Sequence, residues 1–195
     1  MNNNFYLQNL SYHGNIIYDP VIIFSHGMMD NFHQGNEKKL PISNDKPKKT
    51  ITIILADDDE DDRDLFKEAL QITAPAAHLL LAEDGRMLLN MLEKTKEIPD
   101  VIFLDLNMPY KSGIECLAEI RNHEQFKDIP VVIYSTSSSL KDINDTFDKG
   151  ANLYVKKPNS FNELRLITSK VLSLNWDKYK PHYSRTHFLF SSKTE

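Results

Sequence analysis

Two successive aspartates, Asp57 and Asp58, close the apolar run 51–56, and a third, Asp105, ends the run 101–105. Carboxylates brought together repel one another and resist joint ionisation unless a cation lies between them. A donor set made only of oxygens selects a hard cation, and one completed by water suits Mg2+. Ser135 ends a further run, 131–135, and offers a hydroxyl able to bond a phosphoryl oxygen. Lys157 follows the run 152–155 in Tyr154-Val155-Lys156-Lys157-Pro158 and offers an ammonium. A nucleophilic carboxylate, a metal-binding acidic pair, a hydroxyl and a fixed cation together meet the needs of phosphoryl transfer. Each residue also has a plainer reading. Ser135 alone is a turn residue and Lys157 alone a surface charge. An acidic run after a strand is commonly a helix N-terminus, where carboxylates complement the dipole. Asp61, Asp62 and Asp64 are assigned that role and no part in the site, and Asp59 and Glu60 lean the same way.

Such residues can meet only if the elements before them end at one rim. Five short apolar runs (51–56, 78–82, 101–105, 131–135 and 152–155) alternate with helical patterns. Ile53-Ile54-Leu55 and Val101-Ile102-Phe103-Leu104 are apolar throughout, as strands buried on both faces are. Leu65, Phe66, Ala69 and Leu70 share one helical face, as do Leu140, Ile143 and Phe147. Ile114, Leu117, Ala118 and Arg121 form a third, and Phe161, Leu164, Ile167, Val171 and Leu174 a fourth. Pro75, Pro99 and Pro130 precede strands, and Gly150 stands at a helix C-terminus. Strand–helix repeats with short links require parallel strands and right-handed crossovers, hence a three-layer α/β sandwich. In such sheets ligands bind beyond the carboxyl ends of the strands.

Composition narrows the classes of function. The 195 residues carry 23 Lys plus Arg against 28 Asp plus Glu, a net charge of -5, which argues against nucleic-acid binding. Cys116 is the single cysteine, so neither an internal disulfide nor a Cys-rich zinc site is available. No apolar run reaches the ~18 residues of a membrane span. Residues 1–37 contain no Lys or Arg, so a basic signal-peptide start is absent and the cytoplasm is the expected location. Residues 1–49 are read as a poorly ordered extension, with a candidate strand in Ile16–Ile17 and Val21 to Phe24 and a polar linker from 38 to 50. Residues 50–174 form the acidic α/β domain, and 175–195 an aromatic and basic tail.

The segment from about residue 49 to 174 resembles the receiver domain of two-component response regulators. The residues that carry the resemblance are Asp57-Asp58, Asp105-Leu106-Asn107-Met108-Pro109 with Gly113, Ser135, and Lys157-Pro158. The resemblance implies a flavodoxin-like, doubly wound, five-stranded parallel sheet of order 2-1-3-4-5. It implies that Asp105 accepts a phosphoryl group from a sensor histidine kinase or a histidine phosphotransfer protein. Asp57, Asp58, Asp105 and the backbone carbonyl of Asn107 would hold Mg2+. Lys157 would pair with Asp105, and Pro158 would follow it through a cis bond. Ser135 and Tyr154 would form the switch, although an ordinary packed aromatic is an equal reading of Tyr154. Asn107 and Ser137 occupy the positions that tune phosphoryl lifetime, and neither is charged. Serine stands at 135 where threonine is commoner, and Asp59 extends the pair to a triplet, leaving Asp58-Asp59 open as the alternative.

The implied activity is that of a stand-alone switch acting by protein contact, self-catalysing its phosphorylation and dephosphorylation but not a turnover enzyme. A haloacid-dehalogenase-like phosphatase is the enzymatic rival. It typically has a second aspartate two residues after the first, where this chain has Asn107. A flavodoxin-like FMN carrier would find its phosphate repelled by residues 57–62. A degenerate receiver used only for binding is the third rival. The tail, with Trp176, Tyr179, Tyr183, Phe188 and Phe190, is read as a contact patch for a second copy of the chain or for the kinase, or as a segment folded over its own domain.

Overall fold

Side chains of a strand alternate between the two faces of its sheet, and the computed structural model, which describes residues 50–182 and 184–190, uses that alternation throughout. The strands are β1 (Thr52–Ala56), β2 (His78–Ala82), β3 (Val101–Leu104), β4 (Val131–Ser135), β5 (Leu153–Lys156) and β6 (Leu189–Phe190). All pair in parallel, in the order β2-β1-β3-β4-β5-β6. Between them run α1 (Glu60–Thr73), α2 (Gly85–Lys94), α3 (Gly113–Asn122), α4 (Leu140–Asp148), α5 (Phe161–Leu172) and the single turn α6 (Arg185–Phe188).

Ile53, Leu55, Val101, Phe103, Val132, Tyr134, Leu153 and Val155 face α1 and α5, meeting Phe66, Ala69, Leu70, Leu164, Ile167 and Val171. Ile54, Ala56, Ile102, Leu104, Val131, Ile133 and Tyr154 face the other way, onto Leu88, Leu92, Cys116, Leu117, Ile120 and Phe147 of α2, α3 and α4. The result is the expected three-layer sandwich. Each of the five longer helices starts at a side-chain cap: Asp59, Asp84, Ser112, Ser139 and Ser160 accept from first-turn amides. Gly150, after the C-cap of α4, has φ +87°, a conformation that glycine adopts without steric cost.

Several details depart from the sequence reading. The sheet has six strands, not five. Of the two readings of the tail, the structure has the one in which it folds over its own domain: Leu189 and Phe190 pair with Tyr154 and Val155. Without them β5 would be an open edge presenting unpaired backbone groups. Leu65 and Leu140, assigned to buried helix faces, are exposed; the packed faces are set one position on, by Phe66, and further along, by Thr146 and Phe147. Helix α2 is an element the sequence reading lacks. The extension 1–49, its candidate strand and most of the linker lie outside the described residues, as does Tyr183.

Candidate functional site

Strand register determines which residues meet at the rim. Ala56 pairs with Ala82 on one side and Leu104 on the other. The next residues, Asp57 and Asp105, therefore leave the sheet side by side. Their amides continue the ladder, Asp57 N donating to Ala82 O at 3.0 Å and Asp105 N to Ala56 O at 2.9 Å. Across the sheet Ser135 pairs with Lys156, and Lys157 N donates to Ser135 O at 2.8 Å. One carboxylate oxygen from each of Asp57, Asp58 and Asp105 lies within 4.8 Å of the others. Asp57 is fully buried and Asp105 6% exposed, while Asp58 is open to solvent.

Lys157 faces this group from β5. Its Nζ lies 2.7 Å from Asp57 Oδ2, 2.7 Å from Asp62 Oδ2 and 3.3 Å from Asp105 Oδ2, and 5.6 Å from the centroid of the Tyr134 ring. Burial alone would lower the pKa of this ammonium, but the surrounding carboxylates outweigh it and hold the pKa above its ordinary value. Burial pushes Asp57 the other way, up from 3.8 to about 6, in spite of Lys157. Asp57 Oδ2 is buried and makes no aligned hydrogen bond, its ion pair with Lys157 being electrostatic contact only. Three carboxylates whose oxygens lie this close together, one of them fully buried, fit a hard divalent cation.

The loops hold this arrangement by specific contacts. Asp59 spends its carboxylate on capping α1, accepting from the amides of Asp61 and Asp62. That leaves Asp57 and Asp58, not Asp58 and Asp59, as the pair at the strand end. Asp59 N donates to Asp57 Oδ1 at 3.2 Å, and Arg63 Nη1 to the Asp57 carbonyl at 2.8 Å. Asp105 Oδ1 accepts from Leu106 N at 2.6 Å. A methyl group at Gly113 would overlap the backbone carbonyl oxygen of Asp105, so only glycine lets α3 start this close to the site. Asn107 is exposed in the β3–α3 loop.

Ser135 is fully buried at the end of β4, its Oγ accepting from Ser137 N at 3.3 Å. Tyr154 is also fully buried and donates its hydroxyl to Ser137 O at 3.0 Å; burial raises its pKa. One expectation is corrected. No described peptide bond is cis, so Pro158 follows Lys157 through a trans bond. The trans form is intrinsically favoured by about 0.5–1 kcal/mol, and with it the ammonium still reaches three carboxylates.

Asp62 was missed. The sequence reading gives it to the helix dipole, yet it closes the third side of Lys157. Its sequence signal was the density of acids, seven in eight residues from Asp57. The rotation of α1 that turns Asp62 inward, and not Asp61 or Asp64, follows from the Asp59 cap and the packing of Phe66.

Residues 53–169 match the model of the response regulator receiver domain. The chain is 32% identical over 117 residues to response regulator Rcp1 of Synechocystis, covering 57% of this chain and 80% of that protein. It spans only 17% of another relative, the sensor histidine kinase CheAY of Helicobacter pylori, at 27% identity over 73% of this chain. Among solved structures it resembles the phosphorylated cyanobacterial phytochrome response regulator RcpA, with a TM-score of 0.60 and 31% identity over 67% of this chain and 94% of that one. The Mn2+-bound form of Rcp1 gives a TM-score of 0.58 and 29% identity, covering 64% and 93% of the two chains.

Proposed function

From a chain that belongs to the response regulator receiver family, we infer a phosphorylation switch in which Asp105 is the phosphoacceptor. The observation that carries this reading is Lys157: one buried ammonium touches the carboxylates of Asp57 and Asp105 at the ends of neighbouring strands and of Asp62 in the first turn of α1. In the reaction a carboxylate oxygen of Asp105 attacks phosphorus. The bond from phosphorus to the donor nitrogen of a phosphohistidine breaks, and its electron pair leaves with the imidazole, which takes up a proton. An acyl phosphate remains on Asp105.

Lys157 neutralises charge on the carboxylate and then on the phosphoryl oxygens. The buried Ser135 hydroxyl donates to one of those oxygens. Asp57, Asp58 and Asp105, with the Asn107 carbonyl, would hold Mg2+, which supplies charge neutralisation for an anionic nucleophile and an anionic donor. The phosphodonors are a sensor histidine kinase, a histidine phosphotransfer protein or a small acyl phosphate, which assigns the chain to the cytoplasm. Among the described residues no helix is long and apolar enough to cross a membrane. Receiver domains of this family are typically not turnover enzymes, and the phosphorylated state acts by changing a protein-contact surface.

Incubation with acetyl phosphate and Mg2+ tests the reading by intact mass. One added phosphoryl group is expected on the full chain and none on Asp105→Asn. Steady release of phosphate from organic phosphate esters would instead establish a phosphatase and overturn it.

A further inference from the structure

The tail lies outside the residues matched by the family model, which end at 169, yet it makes built contacts. Asn152, just before β5, donates from Nδ2 to Tyr179 O at 2.7 Å, while its Oδ1 accepts from Arg121 Nη2 at 2.7 Å and Val131 N at 2.8 Å. Arg185 donates to Asn144 Oδ1 at 2.5 Å and Asp148 Oδ1 at 2.7 Å, and its guanidinium lies 4.4 Å over the Phe147 ring. Phe188 is 3% exposed, edge-on to Phe147 at 5.1 Å and to Tyr154 at 6.2 Å between ring centroids. Beyond it Leu189 pairs in register with Tyr154. The tail therefore closes the sheet edge beside the Tyr154 ring.

Tyr154 is also tied to the acidic site. Its hydroxyl bonds Ser137 O, and Ser137 N bonds Ser135 Oγ, the hydroxyl at the end of β4. Contacts thus run without a gap from Ser135 through Ser137 and Tyr154 to Phe188. The tail end of this chain of contacts is short, held by the buried Phe188, a two-residue strand, one helical turn and one surface arginine. Weakly held segments of this kind open independently of the core.

We propose that residues 179–182 and 184–190 form a clasp whose closure over Tyr154 and the occupation of the Asp105 site by a phosphoryl group favour each other. Phe188 packs edge-on against the Tyr154 ring and Leu189 pairs with the Tyr154 backbone, so with the tail closed the ring is backed by Phe188. Closure therefore keeps Tyr154 on the Ser137 carbonyl and Ser135 at the site. A phosphoryl group held by Ser135 fixes the same loop and so the same ring. Coupling of this kind is reciprocal. The proposal rests on Asp105 being the phosphoacceptor.

The test uses the full chain with Mg2+ and beryllofluoride, a tetrahedral phosphoryl mimic. Amide hydrogen exchange over 185–190 is expected to slow on binding by roughly fivefold or more, within the usual range of site-to-site coupling. Phe188→Ala is expected to bind beryllofluoride about fivefold more weakly. Arg185→Ala, a surface change that leaves the core filled, is expected to shift affinity in the same direction. Unchanged tail exchange with unchanged affinity in both variants overturns the clasp alone, as does tighter binding by the variants. Failure of the unaltered chain to bind the mimic overturns the phosphoacceptor reading, and the coupling with it.

Discussion

Replacing Asp57 with asparagine is expected to stabilise the metal-free protein, although it removes a carboxylate that touches a lysine. Asp57 is fully buried, and burial raises its pKa from 3.8 to about 6 even with Lys157 beside it. The folded state therefore holds this proton more tightly than the unfolded chain does. Stability from that proton is fully present below pH 3.8 and is lost as the pH rises through about 6. At 1.36 kcal/mol per pH unit, ionised Asp57 costs roughly 3 kcal/mol at neutral pH. Asparagine mimics the neutral form, retains an oxygen for the Asp59 amide, and leaves Lys157 paired with Asp62 and Asp105. Urea denaturation in a chelator should show Asp57→Asn more stable by about 3 kcal/mol at pH 7.5, with the gap closing towards pH 4. Mg2+ should narrow the gap by stabilising only the unaltered chain, since ligation needs the carboxylate. A variant less stable than the parent at pH 7.5 without metal, or a gap that does not change with pH, would refute the burial argument.

Two further substitutions probe the scaffold. Gly113→Ala, at the first residue of α3, places a methyl group on the Asp105 carbonyl oxygen, which the backbone cannot accommodate without moving. A net loss of about 2 kcal/mol in urea unfolding, with slower phosphorylation by acetyl phosphate, is expected; an increase in stability would show that the loop can move. Arg121 is expected to be structural and not part of the site. Its guanidinium, with a pKa that burial lowers to about 10, donates to the carbonyls of Gly150, Lys127 and Ile129 and to Asn152 Oδ1. Arg121→Ala leaves these acceptors without their donor and should cost about 3 kcal/mol, and a loss below ~1 kcal/mol would contradict that role.

Much of the molecule could be read from local pattern because burial on both faces leaves β1 and β3 no choice but apolar runs. An acid ending such a run stands out. Asp57, Asp58, Asp105, Ser135 and Lys157 all follow or end strands that period and proline placement already delimit, so the composition of the rim was legible. Helix faces were read less well. Leu65 and Leu140 fit an apolar stripe as well as their buried neighbours do, and only the placement of α1 and α4 on the sheet exposes them.

The chain order of residues alone determined the alternation of strands and helices and the identity of the groups gathered at one rim. Tertiary structure decided what depends on distance across the chain. Asp62 reaches Lys157 over 95 residues of sequence, because the Asp59 cap and the seating of Phe66 set how α1 is turned. Register brings Asp57 and Asp105 side by side, and β5 runs past the level of Leu104 to set Lys157 opposite them. A sixth strand forms from the tail because β5 would otherwise leave its edge groups unpaired, a demand that no local period records.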